Sequence, residues 1–281
     1  MKVCSSRWQR RVALWSTALL APLVVVACQS VQTTRAGVVG IDRQQQMSSL
    51  VSATQVDTEA RQQYVAVLRQ SGQKGQLNRD PAETDRVRRI ALRLIPQTAV
   101  FRDDAPRWQW EVNVIESAEV NAWCMPGGKI AVYTGLIDKL KITDDELAAV
   151  MGHEISHALR EHARERMSRA APVSIGAQVL GAVYGEGAAD LGSLFGQAFW
   201  VLPNSRLNEQ EADRIGVELA ARAGYDPRAA ISLWKKMAAI GGSGGTPQFL
   251  STHPSPDSRI ADLTQISERV LPLYQEAQAR R

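Results

Sequence analysis

The chain has 281 residues, of which 44% are apolar and 22% charged, with three cysteines. That composition excludes a disordered, collagen-like or disulfide-scaffolded chain and provides for one sizeable folded domain. The formal charge of +4 belongs to the N-terminus: four of the 33 basic residues (Lys2, Arg7, Arg10, Arg11) lie in 1–27 with no acid, leaving 29 against 29 acidic ones, so nucleic acid is excluded as a bulk-charge partner.

Residues 1–27 have the parts of an export signal, with a basic start, an apolar stretch from Val12 to Val26 that is short for a membrane span, and a small residue before a cysteine. Val25-Val26-Ala27-Cys28 resembles the lipobox of bacterial lipoproteins, which implies a lipid on Cys28 as the first mature residue. Gln29 in place of Asp then implies the periplasmic side of the outer membrane, with an inner-membrane anchor as the alternative. Cys4 leaves with the signal and Cys124 is left as a lone, buried strand thiol. Residues 28–46 are polar and read as a tether, and 47–281 as a single domain: N-terminal helices over 47–95, a core over 96–265 and a closing helix over 260–279.

The spacing predicts a helix from Met47 to Gln70 and a second from Asp80-Pro81, with Asp80 as N-cap. Arg86, Arg88, Arg89 and Arg93 on the latter read as a solvated face. After Pro96, alternation at Trp108, Trp110, Val112 and Val114 predicts a strand. Two more follow, Val120 to Met125 and Lys129 to Thr134, joined by Pro126-Gly127-Gly128, a tight-turn sequence. A helix from Asp144 to Met167 opens with the capping box Thr143/Glu146. Ala171 to Leu202 is apolar and carries six glycines; it reads as loosely packed helices over the core, with a mobile lid or a membrane or partner surface as the sharper alternative. Helices over Asn208–Ala223 and Pro227–Ile240, the flexible loop Gly241–Gly245 and a helix over Ile260–Ala279 interrupted at Pro272 complete the chain.

His153-Glu154-Ile155-Ser156-His157 is an HExxH sequence inside that capped helix. Residues four apart on a helix share a face, so both imidazoles reach one ion while Glu154 can take a proton from water activated by it. A catalytic zinc needs a third protein ligand. His162, five residues on in the same helix, is turned about 140° away from His157 and reads as a polar or capping residue. The acidic candidates are Glu209, Glu211 and Asp213; Glu209 and Asp213 share a face that can supply one ligand and one acceptor for a ligand's second N–H, and Glu211 lies on the other side.

HExxH followed by ExxxD resembles the gluzincin family that includes the heat-shock peptidase HtpX and the CAAX prenyl endopeptidase. Asn121 to Ile130, Tyr133 to Leu136, Ala223 to Pro227 and His253-Pro254 carry the resemblance across about residues 80–265. With its lipobox, the chain is similar to the LoiP-like lipoprotein branch. The resemblance implies an α+β, mainly helical zincin-type fold with a small antiparallel β-sheet next to the HExxH helix. It implies one Zn2+ per chain, Glu209 as third ligand and Asp213 behind the site. The sequence lacks the several membrane spans of HtpX and the prenyl peptidase, which argues against a prenylated substrate. His253 and Arg259 follow the glycine loop and are candidates to steady the oxyanion; His253 is also a candidate reversible, inhibitory fourth ligand. The expected function is a zinc endopeptidase that degrades misfolded or unassembled envelope proteins, with outer-membrane assembly partners; the alternative is a zinc-containing chaperone or assembly factor with little proteolysis.

Overall fold

The computed structural model describes residues 28–171, 191–241, 248–254 and 257–280. The expected export signal over 1–27, most of the glycine-rich stretch and the loop after Gly241 lie outside these residues. A short antiparallel hairpin, β1 (Cys28–Val31) with β2 (Gln45–Ser48), leads into α1 (Ala53–Gln73) and α2 (Pro81–Leu94). Ser52 and Gln55 form a capping box on α1, and Asp80 accepts from two amides at the start of α2, where Pro81 gives up no needed hydrogen bond. The segment expected as a free tether packs along the domain: Val39, Ile41, Gln45 and Met47 are buried. Val39 N donates to Glu218, and Arg43 reaches Glu165 and Glu211. Polar composition hid this because the apolar anchors in the segment, Val39 and Ile41, are few and the other contacts are hydrogen bonds and ion pairs.

The central sheet has the order β3–β5–β4, from β3 (Glu111–Ile115), β4 (Ala122–Met125) and β5 (Lys129–Tyr133). β4 and β5 form the expected antiparallel hairpin, with Gly127 and Gly128 at positive φ. β3 lies parallel on the far side of β5, so the sheet is mixed. Alternation predicts a strand but not which edge it joins. β4 is left as an edge strand facing α4 (Asp144–Leu159) after the short α3 (Thr134–Leu140).

α4 is buried almost throughout and packs on α7 (Arg206–Arg222), with α8 (Ala229–Gly241) and α10 (Asp257–Ala279) closing the far side. Gly152 and Gly216 face each other where α4 and α7 cross: a Cβ on Gly216 would meet His153 N at 2.6 Å. α10 stays helical through Pro272. α4 itself stops at Leu159. Glu161 takes φ 51°, and a new helix, α5, runs over 162–171. Glu161 is held there by Arg102 and Arg164. α6 (Leu191–Gly196) and a π-helical segment Gln197–Val201 pack with Trp123 of β4, and α9 (Gln248–Thr252) joins through Phe249 N, which donates to Val120 O. No helix among the described residues is long and apolar enough to cross a membrane.

Candidate metal centre

The capping box of α4 ties Glu146 to the amide of Thr143, and Lys236 and Ser232 hold the same carboxylate. The helix is therefore fixed at its start, and its last two turns carry His153, Glu154 and His157 into the interior. α7 runs across it and brings Glu209 from its first turn and Asp213 one turn later. His253 arrives just past α9, where its amide donates to Phe249 O and its ring stacks on Phe249.

His153, His157, Glu209 and His253 present one ligand atom each, all within 4.8 Å of one another. His153 Nε2 lies 3.1 Å from His157 Nε2 and 3.4 Å from Glu209 Oε2, and His157 Nε2 lies 3.4 Å from Glu209 Oε1. His253 Nδ1 is 3.3 Å from His153 Nε2 and 3.0 Å from Glu209 Oε1. Donors about 2.0–2.1 Å from a tetrahedral zinc stand about 3.3–3.4 Å apart. The group can hold one such ion, and its two-nitrogen, one-carboxylate set with a fourth position matches what zinc takes.

The rings are oriented from behind. Asp213 Oδ1 lies 3.0 Å from His153 Nδ1. A carboxylate there accepts the Nδ1 proton and leaves the Nε2 lone pair facing the site. His157 is served by a longer chain. His162 Nδ1 lies 2.8 Å from His157 Nδ1, and His162 Nε2 lies 3.1 Å from Glu211 Oε2. Glu211 can only accept, so His162 donates to it through Nε2, accepts His157 Nδ1–H, and thereby frees His157 Nε2. Arg43 and Arg160 both donate to Glu211 and hold it in place. His162's part is not legible from neighbouring residues, since nothing in Arg160-Glu161 is a helix breaker; the left-handed turn at Glu161 swings the ring back toward His157.

Arg259 stands behind the site. It donates through Nε and Nη2 to Asp213 at 2.7 and 2.6 Å, lies 2.7 Å from Glu209 Oε2 and stacks on Trp234. Its guanidinium is committed to these carboxylates. Burial opposes charge throughout, yet Asp213 and Glu209 pull His153 up to about 9, and the surrounding histidines hold Glu209 well below the usual carboxylate range. Burial pushes His157 well down, into the neutral form a metal requires, and pushes Glu154 up. The cluster thus attracts positive charge. Glu154 Oε1 is buried, has no hydrogen-bond partner and lies 3.7 Å from His253 Nε2. It faces a cavity of about 40 Å³ shared with Trp123 and Cys124 of β4, Arg166, Trp200 and Asn204. Cys124 is a buried thiol, with its pKa raised by that burial.

Comparison with known proteins agrees with this geometry. The chain is 42% identical over 174 residues to the mitochondrial metalloendopeptidase OMA1 of Arabidopsis thaliana, covering 61% of this chain and 35% of that protein. It is 35% identical over 177 residues to OMA1 of Bos taurus, covering 58% and 33%. It is 30% identical over 220 residues to the beta-barrel assembly-enhancing protease of Escherichia coli K12, covering 75% and 43%. The chain therefore spans between a third and a half of these relatives' lengths. The model of Peptidase family M48 matches residues 81–267, which contain every residue of the metal cluster. By that match the chain belongs to Peptidase family M48, whose members are zinc-dependent metallopeptidases.

Proposed function

We propose that the protein is a zinc endopeptidase of the bacterial envelope, anchored by a lipid on Cys28 at the periplasmic face of the outer membrane, that cleaves misfolded or unassembled envelope proteins. The observation that carries the reading is the convergence of His153, His157 and Glu209 on one point beside Glu154, whose Oε1 has no hydrogen-bond partner. His153, His157 and Glu209 are the metal ligands; Asp213 and His162 fix the tautomers of the two rings. A zinc ion held by His153, His157 and Glu209 would supply Lewis-acid chemistry for the scissile carbonyl and for water. Glu154, raised by burial and with its Oε1 unpaired, is the residue that would take a proton from water at the site and return it to the leaving amine.

β4 is the edge strand beside Glu154, and an extended polypeptide can pair with its open side. Binding through the main chain tolerates many sequences, as suits unfolded substrates. His253 sits in the fourth position around the site, on Glu209 and His153, which supports the inhibitory reading: it must leave before substrate enters. The printed name of the Escherichia coli relative, a protease that enhances beta-barrel assembly, supports an envelope role and assembly partners. The exposed position of Cys28 is compatible with an anchor.

The test is Glu154→Gln. It should bind zinc as the unmodified protein does and lose hydrolysis of an unfolded polypeptide. Unchanged hydrolysis would overturn the mechanism. Loss of an assembly activity only when zinc is removed, with no peptide-bond cleavage by the unmodified protein, would point to the chaperone alternative. Membrane association that survives Cys28→Ala would remove the anchor.

A further inference from the structure

Arg166 lies one turn beyond His162 on α5, so the two share a face. His162 holds His157, and Arg166 reaches the small cavity in front of Glu154 and His157. Its Nε donates at 2.6 Å to Ala198 O, in the π-helical segment that also carries Phe199 and Trp200. That bond aims the guanidinium. The residue as a whole is half-buried, but Nη1 is buried and has no hydrogen-bond partner.

Charge is unbalanced at this point. No carboxylate among the described residues pairs with Arg166; Glu209, Glu154 and Glu165 act on it only through space. Each of these is committed elsewhere. Glu209 serves the histidines and Arg259, Glu165 serves Arg43 and Arg169, and Glu154 is the proposed base. Burial lowers the guanidinium to about 10, so it remains charged at neutral pH. A buried cation with an idle donor is costly unless an anion arrives to pair with it. The walls around it, Trp123, Phe199 and Trp200, are aromatic, so such a pair is screened less there than on the surface. The cavity is small and admits a group the size of a carboxylate.

We propose that Arg166 binds a carboxylate of the polypeptide next to the bond being cleaved, so that the site prefers acidic segments or acidic chain ends. This rests on the peptidase reading above and gives that site a substrate class. The bidentate geometry of a guanidinium suits a carboxylate better than an amide or a hydroxyl.

The experiment measures binding to zinc-loaded protein carrying Glu154→Gln and His253→Ala, so that nothing is cleaved and the fourth position is open. Labelled peptides are compared in pairs: Glu against Gln flanking the central bond, and a free C-terminus against an amidated one. One member of at least one pair, the carboxylate, should bind about 10- to 100-fold more tightly. Which pair shows the difference separates a side chain from a chain end. Arg166→Met should abolish the difference, and Arg166→Lys should restore part of it. Arg166→Met also removes the bond to Ala198 O; the peptide pairs on protein with Arg166 intact decide the matter even where that substitution disturbs the fold. Equal affinities in both pairs, no binding of either member, or a preference that survives Arg166→Met overturns the proposal. Absence of hydrolysis by the unmodified protein overturns the peptidase reading alone, because this measurement needs none.

Discussion

Substituting Gly216 by Ala tests whether the crossing of α4 and α7 sets the metal centre. The added Cβ would lie 2.6 Å from His153 N, 2.8 Å from Gly152 C and 2.9 Å from His153 Cα. All three are backbone atoms, so no side chain can turn aside. An ordinary carbon contact lies near 3.5 Å, and relief requires the helices to part by about 0.9 Å. The alanine gains about 1 kcal/mol of helix propensity over glycine, while overpacking a well-filled contact costs about 1–3 kcal/mol. The net effect lies between no change and a loss of about 2 kcal/mol, or at most roughly 8 °C in melting temperature at this size. The larger effect falls on zinc. His153 and His157 ride on α4 and Glu209 on α7, and ligand distances tolerate about 0.2 Å. Zinc affinity by chelator competition should fall at least tenfold. Gly72→Ala is the control, because a Cβ there meets nothing within 4 Å. Unchanged zinc affinity and an unchanged or raised melting temperature in Gly216→Ala would refute the claim that this contact positions the ligands.

Metal content should separate the two glutamates of α7: Glu209→Ala should lose zinc outright, whereas Glu211→Ala should keep a weakened site, about 10- to 100-fold lower in affinity, because it only positions His157 through His162. If only Glu211→Ala loses zinc, the ligand assignment is wrong. His253→Ala should raise the rate of cleavage of an unfolded substrate, and a loss of rate would mean that the ring aids catalysis. Burial pushes Glu165 up, but Arg43 and Gln45 more than offset it and bring its carboxyl down to about 2. A carboxyl lowered on folding adds stability above its ordinary pKa of about 4.5 and loses it as pH falls toward 2, here on the order of 3 kcal/mol. Acid titration of the melting temperature should show that loss, and Arg43→Met should shrink it; an identical acid profile in the variant would count against the network.

The elements legible in the sequence were those that depend on neighbours along the chain. The Thr143/Glu146 box, Asp80-Pro81, the Pro126-Gly127-Gly128 turn and the four-residue step between His153 and His157 all act within one or two turns of backbone, so their meaning survives without the fold. The pairing of Glu209 with Asp213 was readable for the same reason, although their approach to α4 was not. What only tertiary structure decided are contacts between distant segments. The left-handed turn at Glu161 reverses the expected direction of His162 and makes it a support for His157. Arg43, from a segment that reads as a tether, pins Glu211 from the far side. Gly152 and Gly216, sixty-odd positions apart, let two helices approach to backbone contact. β3 takes the edge of β5 that the hairpin leaves open and runs parallel to it, a pairing between segments that local alternation does not record. Local pattern specifies which way a side chain points on its own element; which other element it meets is set by the packing of the whole chain, and no spacing records that.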